Sequence, residues 1–269
     1  MGAAGAMPKG LHPVQAIFSA FMFTVSPPFC APSVWPMQLR EHGFALIAPP
    51  DVGAWCGAEA SELQALSDAW ADLPPDEYLK DGGRYRSRRH GSYVVQGDQV
   101  RRVAHRAHWQ PLSYNALHGG MERWFAPIDA ALDETAAWPA LLRAAARAAT
   151  VLRGEQTWYV EAHQFRIDTR DGIGRPTPEG AHRDGVDLVL VALVARHAVK
   201  GGETRVFDAQ GPMGQRFTLS EPWSLMLLDD QRVIHESTPI QPEAELGWRD
   251  TLVLTVRAGG FQDAPAASA

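Results

Sequence analysis

From Gln156 onward the chain is a succession of short β-rich runs broken by Gly, Pro and Asp. These runs cover 157–168, 186–196, 203–207, 216–219, 224–228, 232–235 and 251–257. Short strands at this spacing predict an antiparallel sandwich or barrel. The first 155 residues read differently. Leu63, Leu66 and Trp70 recur at helical spacing, and Ser61 with Gln64 fits a capping box, which predicts a helix over 61–70. Pro139 and Gly154 bracket an Ala-rich stretch with the usual asymmetry of a helix start and stop, predicting a helix over 139–153. A third helix is expected over 122–135, and strands over 91–95 and 101–108. No linker divides the halves. The expected fold is mainly β (α+β), with N-terminal helices flanking a β-core. It is laid out as a tail (1–36), one domain (37–258) and a C-terminal tail (259–269).

Composition narrows the class. Hydrophobic residues make up 45% and charged residues 21%, as in a soluble globular protein, which excludes a disordered, collagen-like or coiled-coil chain. A net charge of −6 speaks against a nucleic-acid partner. The strongest basic run, Arg84-Tyr85-Arg86-Ser87-Arg88-Arg89-His90, is brief. It reads either as a solvated rim or as the capture of a substrate carboxylate. Cys30 and Cys56 cannot build a disulfide framework, so the cytoplasm is the expected location. The apolar stretch 16–25 is too short to span a bilayer, so no membrane partner is expected. That stretch reads as part of a tail or as the core of a signal peptide, which keeps export open; Lys9 is the lone positive charge before it.

The chemistry is expected around Ala181-His182-Arg183-Asp184-Gly185. In a strand, His182 and Asp184 would project from one face and could share a metal ion. The pair alone is ordinary, but His235 closes a later apolar strand, and Arg249 follows fourteen residues on. Two imidazoles and one carboxylate form a facial triad that leaves three positions open, as suits non-haem Fe(II). Arg249, with Thr251 on the same strand face, could hold the far carboxylate of a metal-bound acid through a two-pronged ion pair.

The sequence resembles the Fe(II)- and 2-oxoglutarate-dependent dioxygenases. The likeness is to the bacterial group typified by isoleucine 4-hydroxylase, which includes proteins linked to biofilm and peroxide stress. The residues that carry it are 84–86, 164–167, 181–187, 201–204, 235–240 and 249–251, within a stretch from about Gly43 to Arg257. The resemblance implies a double-stranded β-helix (jelly-roll) core and the use of Fe(II), 2-oxoglutarate and O2. It implies His182, Asp184 and His235 as iron ligands. Arg249, Thr251 and Gln164 would contact the co-substrate, and Arg86, Tyr93 and Arg166 would contact the substrate. It further implies oxidation of a small molecule, a free aliphatic L-amino acid foremost, with release of succinate and CO2, and it leaves room for a homodimer. The alternative is a metal-binding stress-response protein that oxidises no metabolite.

Other histidines and acids have plainer readings. His163 and His197 are expected to pack or face solvent. His105 and His108, three apart in an expected strand, would face opposite sides. Glu203 is expected in a turn. Asp187 is expected to support a strand or to hydrogen-bond a metal ligand.

Overall fold

A computed structural model describes residues 26–115 and 117–265. Among the described residues, four α-helices and twelve strands follow in chain order. The helices are α1 (Trp35–His42), α2 (Pro49–Cys56), α3 (Ala60–Leu66) and α4 (Ala137–Arg153). The strands before the His182-x-Asp184 motif are β1 (Phe44–Ile47), β2 (Arg86–Gln96), β3 (Gln99–Arg102) and β4 (Trp158–Asp168). Beyond it come β5 (Leu188–His197), β6 (Val199–Gly201), β7 (Thr204–Asp208), β8 (Gly214–Phe217) and β9 (Leu225–Leu228). The last three are β10 (Val233–Ser237), β11 (Ile240–Pro242) and β12 (Trp248–Ala258). Seven strands form one antiparallel sheet in the order β1-β9-β5-β12-β4-β2-β3. Strands β10-β7-β8 form a second sheet, and β11-β6 a third. The fold is the expected jelly roll.

Strand alternation gives the large sheet two different faces. Trp158, Val160 and Ala162 of β4, with Leu252, Leu254 and Val256 of β12, bury one face in the main core. Helix α4 covers that face. Its Ala144, Ala145, Ala148 and Ala149 are buried and let the helix lie close, while Leu141 and Leu142 each contribute about 1.5–3 kcal/mol by burial. On the other face, Val189, Met226 and Leu228 pack against Val206, Phe217 and Val233 of the small sheet. This second apolar layer holds the sheets together at one end. At the other end the facing side chains are polar.

Several expectations need correction. Helix α3 ends at Leu66 and continues as a 3-10 turn over Ser67–Trp70, and its capping box is formed by Glu59 and Glu62, not Ser61 and Gln64. The expected helix over 122–135 is reduced to a 3-10 turn, Ala130–Glu134, and the expected strand over 101–108 stops at Arg102. That region is held instead by side chains and by a backbone bridge between His108 and Arg123. A boundary at residue 37 would cut α1, and Phe29, Cys30 and Trp35 pack against the cores. The apolar stretch 16–25 lies outside the described residues. The C-terminal segment is no free tail at its start. Phe261 meets the Tyr159 ring edge-on at 5.1 Å, and Arg106 pairs with Asp263. Among the described residues, no helix is long and apolar enough to cross a membrane.

Candidate functional site

The His-x-Asp motif lies in a loop before β5, not in a strand. A pair of backbone hydrogen bonds brings it to His235 on β10: each of His182 and His235 donates its N–H to the other's carbonyl, both at 3.0 Å. Gly185 turns the chain with φ +77°, and a Cβ there would meet the Tyr114 ring at 2.5 Å, so only glycine fits. The Asp230 carboxylate accepts the backbone N–H groups of Asp184, Gly185 and Val186 at 3.0, 2.7 and 3.0 Å. From the C-terminal segment, Gln262 donates to the Asp184 and Gly185 carbonyls at 3.1 and 2.8 Å. The turn is thus fixed from both sides.

His182 Nδ1 donates to the Gly180 carbonyl at 2.9 Å, which makes Nε2 the nitrogen that could take a metal. Asp184 Oδ1 lies 4.0 Å from His182 Nε2, and its Oδ2 lies 3.8 Å from His235 Nε2. One ligand atom from each of His182, Asp184 and His235 lies within 4.8 Å of the other two, close enough for the three to converge on one ion. Burial, with His182 next to it, holds His235 well below the usual histidine range. Burial pushes Asp184 up. It also pushes Asp230 up to about 7, with the Asp184 charge adding to the effect. A cation would relieve this crowding of acids.

Arg249 and Thr251 line the same cavity as these three residues. Arg249 is buried, and its Nε has no hydrogen-bond partner among the described residues. Burial lowers its guanidinium pKa to about 10, and Arg196 adds to the effect, so an anion there would be strongly held. Arg86 also lines the cavity, paired with the buried Asp76 at 2.7 Å.

Gln164, Arg166 and Tyr93 stand on the other face of the sheet. Gln164 and Arg166 share strand parity with Val160 and Ala162. Gln164 donates to the Ala69 carbonyl at 3.4 Å and lines a separate groove. Arg166 forms a two-pronged pair with Asp250 at 2.8 and 2.7 Å. Tyr93 lies in the main core with its hydroxyl donating to Asp133 at 3.2 Å. None of the three lines the metal cavity.

A second cluster of possible ligands is His90, His108 and His163. His163 is buried as expected but also lines the cavity. His108 leaves its expected strand and joins it. Arg88 Nη2 lies 2.7 Å from His163 Nδ1 and can only donate, so Nδ1 accepts and the ring proton sits on Nε2. A metal on that Nε2 would require an imidazolate. His90 Nε2 and His108 Nδ1 are engaged by Glu161 at 3.0 and 3.4 Å, and Arg106 reaches the same carboxylate at 3.1 Å. One nitrogen of each histidine is already engaged, and Arg88 and Arg106 set cations beside the cluster, so the His182–Asp184–His235 group is the better metal site.

The loop between β3 and α4 supplies residues that sequence reading passed over. Gln110 Nε2 donates to Asp184 Oδ1 at 3.1 Å, and its Oε1 accepts from Arg123 at 2.9 Å and Asn115 at 3.2 Å. Glu179 stands 3.4 Å from His182 Nε2. Only strand parity in β2, which puts Arg88 beside Arg86, could have signalled Arg88. Glu203 pairs with Arg205 beside the expected turn, and Asp187 accepts the Ala258 N–H, bracing a strand.

A family model described as 2OG-Fe dioxygenase matches residues 67–255, well over half of the chain. The chain belongs to the 2OG-Fe dioxygenase family. A solved structure of a bsmA homolog from Methylobium petroleophilum PM1 is 48% identical, covering 91% of this chain and 100% of that one, with a TM-score of 0.83. IDO from Bacillus thuringiensis shares the fold at 18% identity and a TM-score of 0.69, covering 87% of this chain and 100% of its own. The Fe(II)/α-ketoglutarate-dependent dioxygenase TqaL does so at 19% identity and 0.64, covering 86% and 90%. No curated protein sequence matches the chain. Members of the 2OG-Fe dioxygenase family use Fe(II), 2-oxoglutarate and O2. The residues present fit that set: two imidazoles, one crowded carboxylate, and a buried guanidinium with an unmet donor in one cavity.

Proposed function

We propose that this dioxygenase oxidises a small molecule, most simply by hydroxylating a C–H bond of a free aliphatic L-amino acid, with release of succinate and CO2. Oxidation at sulfur falls within the same chemistry. His182, Asp184 and His235 hold the iron, and Arg249 with the Thr251 hydroxyl takes the far carboxylate of 2-oxoglutarate. Bound Fe(II) with 2-oxoglutarate and O2 supplies the oxidising power. The chain supplies placement. Gly180 sets the His182 tautomer, Asp230 and Gln262 fix the turn that carries Asp184, and Val253 and Phe165 help to wall the cavity.

One observation carries the substrate class. Beyond Arg249, the cavity holds arginines with unmet donors, and it holds Glu179. Buried cations and an acid in one small chamber suit a ligand with both a carboxylate and an ammonium group. The test is incubation with Fe(II), ascorbate, 2-oxoglutarate and each of the twenty amino acids, scored by mass spectrometry. A product heavier by one oxygen, formed with stoichiometric succinate, is the expected result. A second reading, a metal-binding stress-response protein that oxidises no metabolite, draws on the likeness to the bsmA homolog. Retained iron with no product from any amino acid would favour it.

A further inference from the structure

We propose that Arg88 and Arg123 form a second anion subsite in the cavity, which takes the carboxylate of the compound being oxidised while Arg249 takes that of 2-oxoglutarate. The inference rests on the reading of the cavity as a small-molecule oxidation site and adds to it the residues that grip the substrate.

Arg88 is 4% exposed and Arg123 2%. Both line the cavity with His182, Asp184 and His235. A guanidinium so deeply buried is costly unless an anion meets it. Neither has a full complement of partners. Arg88 spends Nη2 on the neutral acceptor His163 Nδ1, and its Nη1 lies 3.8 Å from Asp76. That carboxylate is already engaged by Arg86 at 2.7 Å. Arg123 spends Nη2 on the neutral amide oxygen of Gln110. The Nε of each has no partner among the described residues. Burial lowers Arg88 well below the usual arginine range and Arg123 to about 10, as expected of cations awaiting a counter-charge.

Packing aims Arg88. The Arg88 guanidinium carbon sits 3.6 Å from the Phe125 ring centre and 4.3 Å from that of Phe165, so the plane is held between two aromatic faces. Strand register separates it from the Arg249 end. Arg88 pairs with Phe165, which pairs with Thr251, so Arg88 and Thr251 are two strands apart, about 10 Å across the sheet. Arg249 lies two residues further along β12. Two carboxylates can therefore be held apart, with the metal ligands lining the same chamber.

The test uses the full chain loaded with Mn(II) and 2-oxoglutarate, with binding followed by calorimetry. The twenty L-amino acids and the monocarboxylates from acetate to hexanoate are titrated. Each binder is compared with its amide or decarboxylated amine analogue, and each is repeated on Arg88→Lys, Arg123→Lys and Arg249→Lys. The expected result is binding that needs the carboxylate and falls roughly 10- to 100-fold in Arg88→Lys and Arg123→Lys, the loss of one charge-assisted hydrogen bond. In those variants 2-oxoglutarate affinity stays within about twofold, whereas Arg249→Lys loses 2-oxoglutarate first. The subsite is overturned if amides or amines bind as well as the acids, if Arg88→Lys and Arg123→Lys bind as the wild type does, or if they lose 2-oxoglutarate as Arg249→Lys does. A wild type that binds no second carboxylate overturns it too. Should a variant fail to fold, the wild-type comparison with amides and amines decides alone. Binding of simple carboxylates but no amino acid upholds the subsite and removes the amino-acid reading. An amino acid that the Fe(II)-loaded wild type oxidises, and that Arg88→Lys and Arg123→Lys bind as the wild type does, does the reverse.

Discussion

Gln110 donates its side-chain amide to Asp184 Oδ1 at 3.1 Å, and Arg123 and Asn115 both donate to its oxygen. With two donors on Oε1, the amide can face Asp184 only through nitrogen, so the carboxylate is held in one rotamer before any metal arrives. Gln110→Leu removes that hold and strands donors of Arg123 and Asn115. Metal affinity should fall roughly 10- to 100-fold, as is usual when a ligand loses its orienting partner. A Co(II) titration, followed by the visible ligand-field bands, checks this. Unchanged affinity would mean that Asp230 and the turn suffice to place Asp184.

Gln262 acts on the same turn from outside the β-core. Its amide nitrogen donates to the carbonyls of both Asp184 and Gly185. Gln262→Ala should weaken metal binding by roughly three- to tenfold, about the cost of one ordinary hydrogen bond, and should lower the melting temperature of the metal-loaded protein more than that of the apoprotein. Equal shifts in both forms would make the contact a packing feature only.

How much of this was legible in the sequence depends on the kind of contact. Strands β4, β5 and β12 announced themselves through apolar alternation, and His182, Asp184, His235 and Arg249 through their order along the chain. The error at Gln164 and Arg166 was one of parity. Both share the phase of Val160 and Ala162, which belong to the face under α4. Reading that phase against Arg249 and Thr251 would have placed them away from the metal. Gln110, Asn115 and Arg123 carried no such signal. Their segment has almost no regular structure, so no period marks it, and their roles arise from side-chain hydrogen bonds to a residue about seventy positions later. The 122–135 helix failed for the same reason: His108 and Arg123 bridge their backbones and leave the local helical pattern unused.

Arg249, proposed above to take the co-substrate carboxylate, is buried in the cavity with its Nε unpartnered among the described residues and has Arg196 as a cationic neighbour, whereas Arg86 is already paired with Asp76. Arg249→Ala should raise the 2-oxoglutarate concentration needed for half-maximal succinate release by at least about 30-fold, since a two-pronged charged contact is lost. Arg249→Lys should recover only part of this, because an ammonium cannot offer the planar fork. A 2-oxoglutarate dependence equal to that of the wild type would move the role to Arg196.

Acid should unfold this protein through the histidine cluster beside the cavity. His90, His108 and His163 are buried, and burial is the main cause that lowers all three, His108 to about 4. In the native state they remain neutral at pH values where the unfolded chain already binds protons. Their contribution is therefore complete above about pH 6.5 and is lost as the pH falls toward the folded values. For His108 alone the loss amounts to roughly 3 kcal/mol by pH 4, a large share of a typical domain stability. The melting temperature of the apoprotein should accordingly drop between pH 6 and 4, less steeply than the three histidines alone would make it, because Asp184 and Asp230, with raised pKa values, gain stability over the same range. His108→Asn, which keeps a polar group beside Glu161 without a titrating one, should flatten that slope. An unchanged slope in His108→Asn would place the acid sensitivity elsewhere, with the crowded carboxylates of Asp184 and Asp230 excluded as its source because their raised pKa values favour the native state in acid.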